Sequence, residues 1–265
     1  MQFDPSPTSN HSYYMRLERV LGQAKTGTSA LYDAHGELAA AQIERLAMAC
    51  LNKQEDVRLV VEGWIRAGMD LEDLYLQGIA NTARLLGAWW VSDELDFATM
   101  TIASYRLHQL IFDLSPTFLA QATDHTQGYS ALLSTTPGSH HTLGVLMVSE
   151  FFRRGGWSVT REVPETPRDL LRLVATEWFD LVGISVNSDQ TRDDVRLIVA
   201  QIREACPNEH LTVMVGGLIT DGRAGYAQSV GADFLGADAR ESQRQALEFV
   251  KNRATLVSLR QQRAF

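Results

Sequence analysis

Cysteine is scarce: Cys50 and Cys206 stand alone and far apart, with no CxxC and no paired-histidine spacing of the zinc-ligand kind. That excludes a disulfide framework and the usual zinc-binding patterns, and both read as reduced core thiols of a cytoplasmic protein. No apolar run is long enough to span a bilayer, and the opening segment MQFDPSPTSNHSYYMRL lacks a basic stretch followed by an apolar one. Neither a membrane span nor a secretory signal is expected. Positive charge is in deficit, 24 Lys and Arg against 32 Asp and Glu, for a net charge of −8. This opposes the many phosphate contacts that direct nucleic-acid binding requires. Also missing are GxGxxG, GxxxxGK[ST] and GxSxG, so the usual dinucleotide, P-loop and hydrolase-elbow readings fail. What is present, 45% hydrophobic and 21% charged residues in a chain of 265, suits one large or two ordinary globular domains.

The chain divides by periodicity. Residues 1–30 are polar and read as a mobile tail with one short helix at 13–24. Residues 31–124 repeat their apolar positions at helical spacing, with helices expected over 37–53, 55–67, 71–91 and 94–119. In the third, Leu76, Ile79, Ala83, Leu86 and Trp90 fall three and four residues apart, which places Trp90 on the core-facing stripe near the helix end. In the fourth, Phe97, Met100, Leu107, Ile111 and Leu114 form one stripe, and Leu95, Ala98, Ile102, Tyr105 and Phe112 a second beside it. A helix apolar over that width is expected to be buried on two sides.

Past a polar joint at 122–128 the pattern changes to short β-rich runs alternating with amphipathic helices. Strands are expected at 129–135, 157–161, 181–186, 211–215 and 234–235, and helices near 143–154, 167–177, 190–204, 219–228 and 240–251. Five β/α units over residues 125–252, followed by a tail at 253–265, imply a flavodoxin-like doubly wound five-stranded parallel sheet behind an N-terminal helical bundle cap, an α+α/β architecture.

In such a sheet ligands bind at the carboxyl ends of the strands, where the strand order reverses. The loop after the first strand, Thr136-Pro137-Gly138-Ser139-His140-His141-Thr142-Leu143-Gly144, holds two of the seven histidines. Exposed loop histidines are commonly just solvated, but neutral imidazole is also a good transition-metal ligand, tuned by a hydrogen bond to its other nitrogen. Ser139, two residues before His141, is placed to supply that bond. Gly144, and Gly216-Gly217 after the fourth strand, either make tight turns or allow something bulky to approach the backbone.

Taken in order, these loops resemble the cobalamin-binding signature Asp-x-His-x-x-Gly, Ser-x-Leu, Gly-Gly of the corrinoid-binding flavodoxin-like family. Here it stands as Ser139-x-His141-x-x-Gly144, Ser185-x-Asn187 and Gly216-Gly217, followed by Gly231-Ala232-Asp233 and Asp238-Ala239. The resemblance implies a base-off cobalamin, carrying an adenosyl, methyl or hydroxo group, with His141 as the lower axial ligand of cobalt. Its nucleotide tail would enter a channel lined by Ser185 and Gly216-Gly217, and Ser139, His140, Thr142, Gly144 and Asn187 would also belong to the cofactor site. The first half is similar to the family's helical cap, with Leu86-Gly87-Ala88-Trp89-Trp90 as its Leu-Gly-x-x-Trp element. Trp90 and Met100 would then lie over the upper face of the ring.

Two departures bear on function. Ser139 replaces the family's Asp, a neutral partner that weakens His141 as a donor and disfavours methyl transfer. Met100-Thr101 replaces the Glu-His pair of light-sensing cobalamin repressors, which leaves His108 and His140 as candidates for a second histidine. The first 30 residues are too short for a helix-turn-helix module. The chain is thus similar to the short cobalamin-binding antirepressors of photosynthesis genes in purple bacteria, the AerR/PpaA type. That likeness implies a light-responsive, non-enzymatic regulator that acts through a PpsR/CrtJ-type transcriptional repressor, without contacting nucleic acid or membrane itself. The rival readings are a methyl-shuttling corrinoid subunit and, given Asn187 at the Leu position, an interaction module with a vestigial pocket.

Overall fold

The computed structural model describes residues 31–263 except 34, 52–54, 123–126, 188–189 and 218–224. The tail at 1–30, its expected helix at 13–24 and most of the helix expected at 219–228 lie outside the described residues. Two compact units make up the chain, one ending at Gln121 and the other starting at Ala122.

The first unit is helical. Helices α1 (Ala40–Leu51) and α2 (Val57–Arg66) are followed by a long helix, α3, and by α4 (Phe97–Ala120). α3 consists of Leu71–Asp73, a π-helical stretch Leu74–Ile79 and Ala80–Val91. Aspartates start three of these helices: Asp56, Asp70 and Asp96 accept the main-chain N–H of Arg58, Asp73 and Thr99 at 2.7–2.9 Å. Tyr75 stacks on Phe118 at 4.4 Å, and Trp64 fills the core and donates to Gln42 at 3.0 Å. Gly78 leaves room for it, since a Cβ there would sit 2.9 Å from the Trp64 ring.

One expectation is overturned at the end of α3. Its buried residues run Leu71, Leu74, Tyr75, Gly78, Ile79, Thr82 and Leu86, and full burial stops there, one turn short of Trp90. Trp90 is 41% exposed, with Phe97 edge-on at 6.3 Å. Likewise α4 is buried on one side only. Leu107, Ile111 and Leu114 face the core, whereas Phe97, Ile102, Tyr105 and Phe112 are exposed.

The second unit is a five-stranded parallel sheet in the order β2-β1-β3-β4-β5. Its strands are β1 (Ser130–Thr135), β2 (Ser158–Glu162), β3 (Leu181–Val186), β4 (Thr212–Gly217) and β5 (Phe234–Leu235). Helices α5 (Leu143–Arg154), α6 (Pro167–Thr176), α7 (Arg192–Ala205), α8 (Tyr226–Ser229) and α9 (Ala239–Arg263) connect or follow them. The last runs well past the expected end at 251, and α6 and α7 each open on a Thr-x-x-Asp capping box, Thr166 with Asp169 and Thr191 with Asp194. One core packs α6, α7 and α8 against Leu132, Val182, Ile184, Val186, Val213 and Val215. The other packs α5 and α9 against Ala131, Leu133, Leu181, Met214 and Phe234. Helices on both faces and a reversal between β1 and β3 put a crevice at the carboxyl ends of those two strands.

Cys50 and Cys206 are buried free thiols. Burial pushes the Cys50 thiol up to about 12 and raises that of Cys206.

Candidate cofactor site

The loop that leaves β1 is built by its own backbone. The left-handed Gly138 (φ 76°) donates to the Pro164 carbonyl at 2.8 Å, Ser139 N–H to Thr136 at 3.0 Å and Thr142 N–H to His140 at 3.0 Å. His140 and His141 come out exposed, with Ser139 and Thr142 half-buried. The space before Gly144 is open, since a Cβ there would meet nothing within 4 Å.

Across the crevice, β3 ends at Ser185, Val186 and Asn187. Asn187 Nδ2 donates to Ser139 Oγ at 2.8 Å, and the His141 main-chain N–H donates to the same oxygen at 3.3 Å. Ser139 therefore acts on His141 through the backbone, whereas the sequence suggested its imidazole. The bond from Asn187 ties the two loops that flank the switch point. Register places Thr135 beside Ser185 and Ser185 beside Gly216, so three strand ends meet in one row. Gly217 is left-handed (φ 109°), and a Cβ on it would lie 2.2 Å from the Val186 carbonyl oxygen. Its glycine is thus demanded by the β3–β4 pairing itself.

Asp233 and Asp238 have structural work. Asp233 pairs with Arg203 and Arg253 and accepts the Val213 N–H at 2.7 Å, and Asp238 accepts the Glu241 N–H at 2.8 Å at the start of α9. Trp90 and Met100 belong to the helical unit, Trp90 exposed and Met100 half-buried. His108 Nδ1 donates to the Ser104 carbonyl at 2.8 Å. Sequence reasoning passed over Thr135 and Thr136, both fully buried with hydroxyls that have no hydrogen-bond partner among the described residues.

These residues fit a corrinoid. Two exposed imidazoles, His140 and His141, stand in the loop at the switch point, the space before Gly144 is open, and the neighbouring Thr135 and Thr136 carry buried hydroxyls with no hydrogen-bond partner among the described residues. No group of three or more His, Cys, Asp or Glu side chains among the described residues could hold a bare metal ion. A metal carried in a macrocycle asks the protein for one axial donor only.

Residues 129–247 match the model of the B12 binding domain. The chain is 33% identical, over 180 residues, to the uncharacterized 20.5 kDa protein in the bchF-crtJ intergenic region of Rhodobacter capsulatus. That alignment takes in 68% of this chain and 93% of the relative. The chain belongs to the B12-binding family. Among solved structures it is similar to the monomethylamine corrinoid protein of Methanosarcina barkeri, with a TM-score of 0.65 and 16% identity, over 79% of this chain and 99% of that one. The shared fold is a helical region followed by the five-stranded parallel sheet, and the cofactor is cobalamin. No helix among the described residues is long and apolar enough to cross a membrane.

Proposed function

We propose that this B12-binding protein is a light-responsive, non-enzymatic regulator that works in the cytoplasm through a partner repressor, as an antirepressor of the AerR/PpaA type. The observation that carries this reading is the relative in the bchF-crtJ intergenic region, matched over 93% of its length. crtJ is the name of the repressor class that the sequence resemblance gave as partner. The chemistry of the β1 loop supports it. A serine stands where a carboxylate would strengthen His141 as a donor, and its oxygen is already engaged by Asn187 and the backbone.

When bound, cobalamin supplies a cobalt–carbon bond that light can cleave. His141 would hold the cobalt through an imidazole nitrogen, and Ser139 and Asn187 fix its loop. On the family resemblance, Trp90 and Met100 would offer apolar surface to the upper group, and their re-packing on its loss is what a bound repressor would sense. The second reading, a methyl-carrying corrinoid subunit, draws on the fold shared with the Methanosarcina protein.

The test is repressor–DNA binding in the presence of the cobalamin-loaded protein, in darkness and after illumination, beside an assay for methylation of the reduced cofactor. Light-dependent release of repressor from DNA is expected. Light-independent behaviour together with efficient methyl transfer would replace this reading with the carrier.

A further inference from the structure

A parallel sheet places the C-terminal ends of its crossover helices at the amino edge of the strands, away from the cofactor site. Helix C-termini carry partial negative charge on carbonyls without intrahelical partners, and a cation in the last turn normally offsets it. α5 finishes on Arg153 and Arg154. α7 has Arg203 in its last turn, whose guanidinium binds the carbonyls of Leu211 and Gly231 at 3.0–3.1 Å. α6 differs: its last turn holds no cation, and it stops at Glu177 with Trp178 next. Arg172 stands before that turn and interacts with Asp169.

Trp178 is 60% exposed, the one exposed large aromatic among the described residues of the sheet unit. Trp157, at the same edge, is buried in ring contact with Tyr129 and Phe152. The main chain under Trp178 is pinned on every side. Ser130 Oγ donates to the Trp178 carbonyl and Asn208 Nδ2 to the Phe179 carbonyl, both at 2.9 Å, and the Asp180 N–H donates to the Ser130 carbonyl at 2.9 Å. The bond from Asn208 brings the α7–β4 loop alongside, and with it the exposed Glu209. A tryptophan on so constrained a backbone loses little freedom when a partner covers it. A negative helix end left without its own cation breaks a local rule, which folds retain where function uses it.

We propose that Trp178 and the C-terminal end of α6 form a protein-docking surface that takes an arginine- or lysine-bearing segment of the partner repressor. The indole face receives the cation, and Glu177, Glu209 and the helix end complement its charge. Charge selects this occupant: the chain is net −8, and a protein that binds DNA phosphates must carry basic groups. The proposal rests on the regulatory reading above. It puts the partner's contact at the amino edge of the sheet and the cofactor at the carboxyl edge, so the two sites are open to separate mutation.

The experiment titrates the purified repressor with the full-length, cobalamin-loaded protein, in darkness and after illumination, using wild type, Trp178→Ala, Trp178→Phe and Glu177→Arg. In the state that binds, Trp178→Ala is expected to weaken the complex about thirtyfold, and Trp178→Phe, which keeps an aromatic face, less than about threefold. Glu177→Arg supplies the missing cation from within the chain, so it should weaken the complex about tenfold while the melting temperature holds or rises by about 1–2 °C. Cobalamin affinity should stay within about twofold in every variant, because its site lies at the other edge. Unchanged repressor affinity in Trp178→Ala, a tighter complex with Glu177→Arg or a parallel loss of cobalamin affinity would overturn the proposal. Failure of wild type to bind the repressor in either state would overturn the regulatory reading, and the proposal with it.

Discussion

The two units spend their apolar surface differently. In the sheet unit β1, β3 and β4 are covered on both faces, and α5, α6, α7 and α9 turn their apolar stripes inward, with few large apolar side chains left outside. In the helical unit the end of α3 and one side of α4 keep Trp90, Val91, Phe97, Ile102, Tyr105 and Phe112 exposed, with Val91 at 82% and Phe97 at 75%. Trp90 and Phe97 are in ring contact at 6.3 Å, and exposed apolar side chains that cluster mark an interaction site more often than scattered ones do. The comparison teaches that the sheet unit closes its apolar surface within itself, whereas the helical unit leaves one side of α4 and the end of α3 exposed.

The sharpest break of that contrast should come at the sheet's glycines. Gly217→Val forces a Cβ into the Val186 carbonyl at a left-handed φ, and a loss above about 4 kcal/mol is expected in urea unfolding. Gly144→Ala, which meets open space, should leave stability within about 1 kcal/mol. Next comes the same truncation made in both units. Phe152→Ala should cost about 3–5 kcal/mol in the filled core of the sheet unit. Phe97→Ala, on the exposed face, should cost less than about 0.5 kcal/mol. Equal costs would mean that the α4 face is covered in the folded chain.

A smaller effect probes the helical unit's buried charge. Asp113 is almost wholly enclosed and held by Arg58, with Gln109 at 3.1 Å on its other oxygen. Arg58→Met should therefore destabilise that unit by about 3 kcal/mol, read as a fall in its urea midpoint. The smallest effect is on the surface of α9. Hydrogen bonds from Arg244 first, then Gln245, bring the Glu241 carboxyl down to about 2. A carboxyl lowered on folding stabilises above its ordinary value near 4.5, and that contribution fades as pH falls toward 2. Between pH 6 and pH 3, as approximate end points, wild type should lose slightly more melting temperature than Glu241→Gln. Parallel losses would show that the pairing is fully screened.

The sheet unit was largely legible in the sequence because its signals are local. Alternation and short β-branched runs located all five strands to within about two residues, and the helix starts expected at 167 and 190 fall within about two residues of those of α6 and α7. The alternation of five β/α units implied a doubly wound parallel sheet, but strand order is a matter of pairing and is visible only in the structure. In the helical unit the four helices were legible and the faces were not. Trp90 follows the stripe but lies one turn past its last fully buried residue, Leu86, where the core ends, and a doubly apolar α4 reads the same whether its second face is buried or exposed. At the site, the histidine loop stood out by its place after the first strand, and His141 within it only through the family resemblance. The Asn187 to Ser139 bond and the unpaired Thr135 hydroxyl depend on strand register, which brings together residues that the sequence holds about fifty positions apart.

The central claim is that the sheet unit binds cobalamin through His141. Its most direct test is the absorption spectrum of wild type and His141→Ala mixed with adenosylcobalamin in the dark, recorded before and after illumination. A bound spectrum in wild type that shifts on illumination, with the histidine-ligated signature lost in His141→Ala, is the predicted result. Identical spectra and affinities for the two proteins would contradict axial ligation by His141 and with it the account of the site.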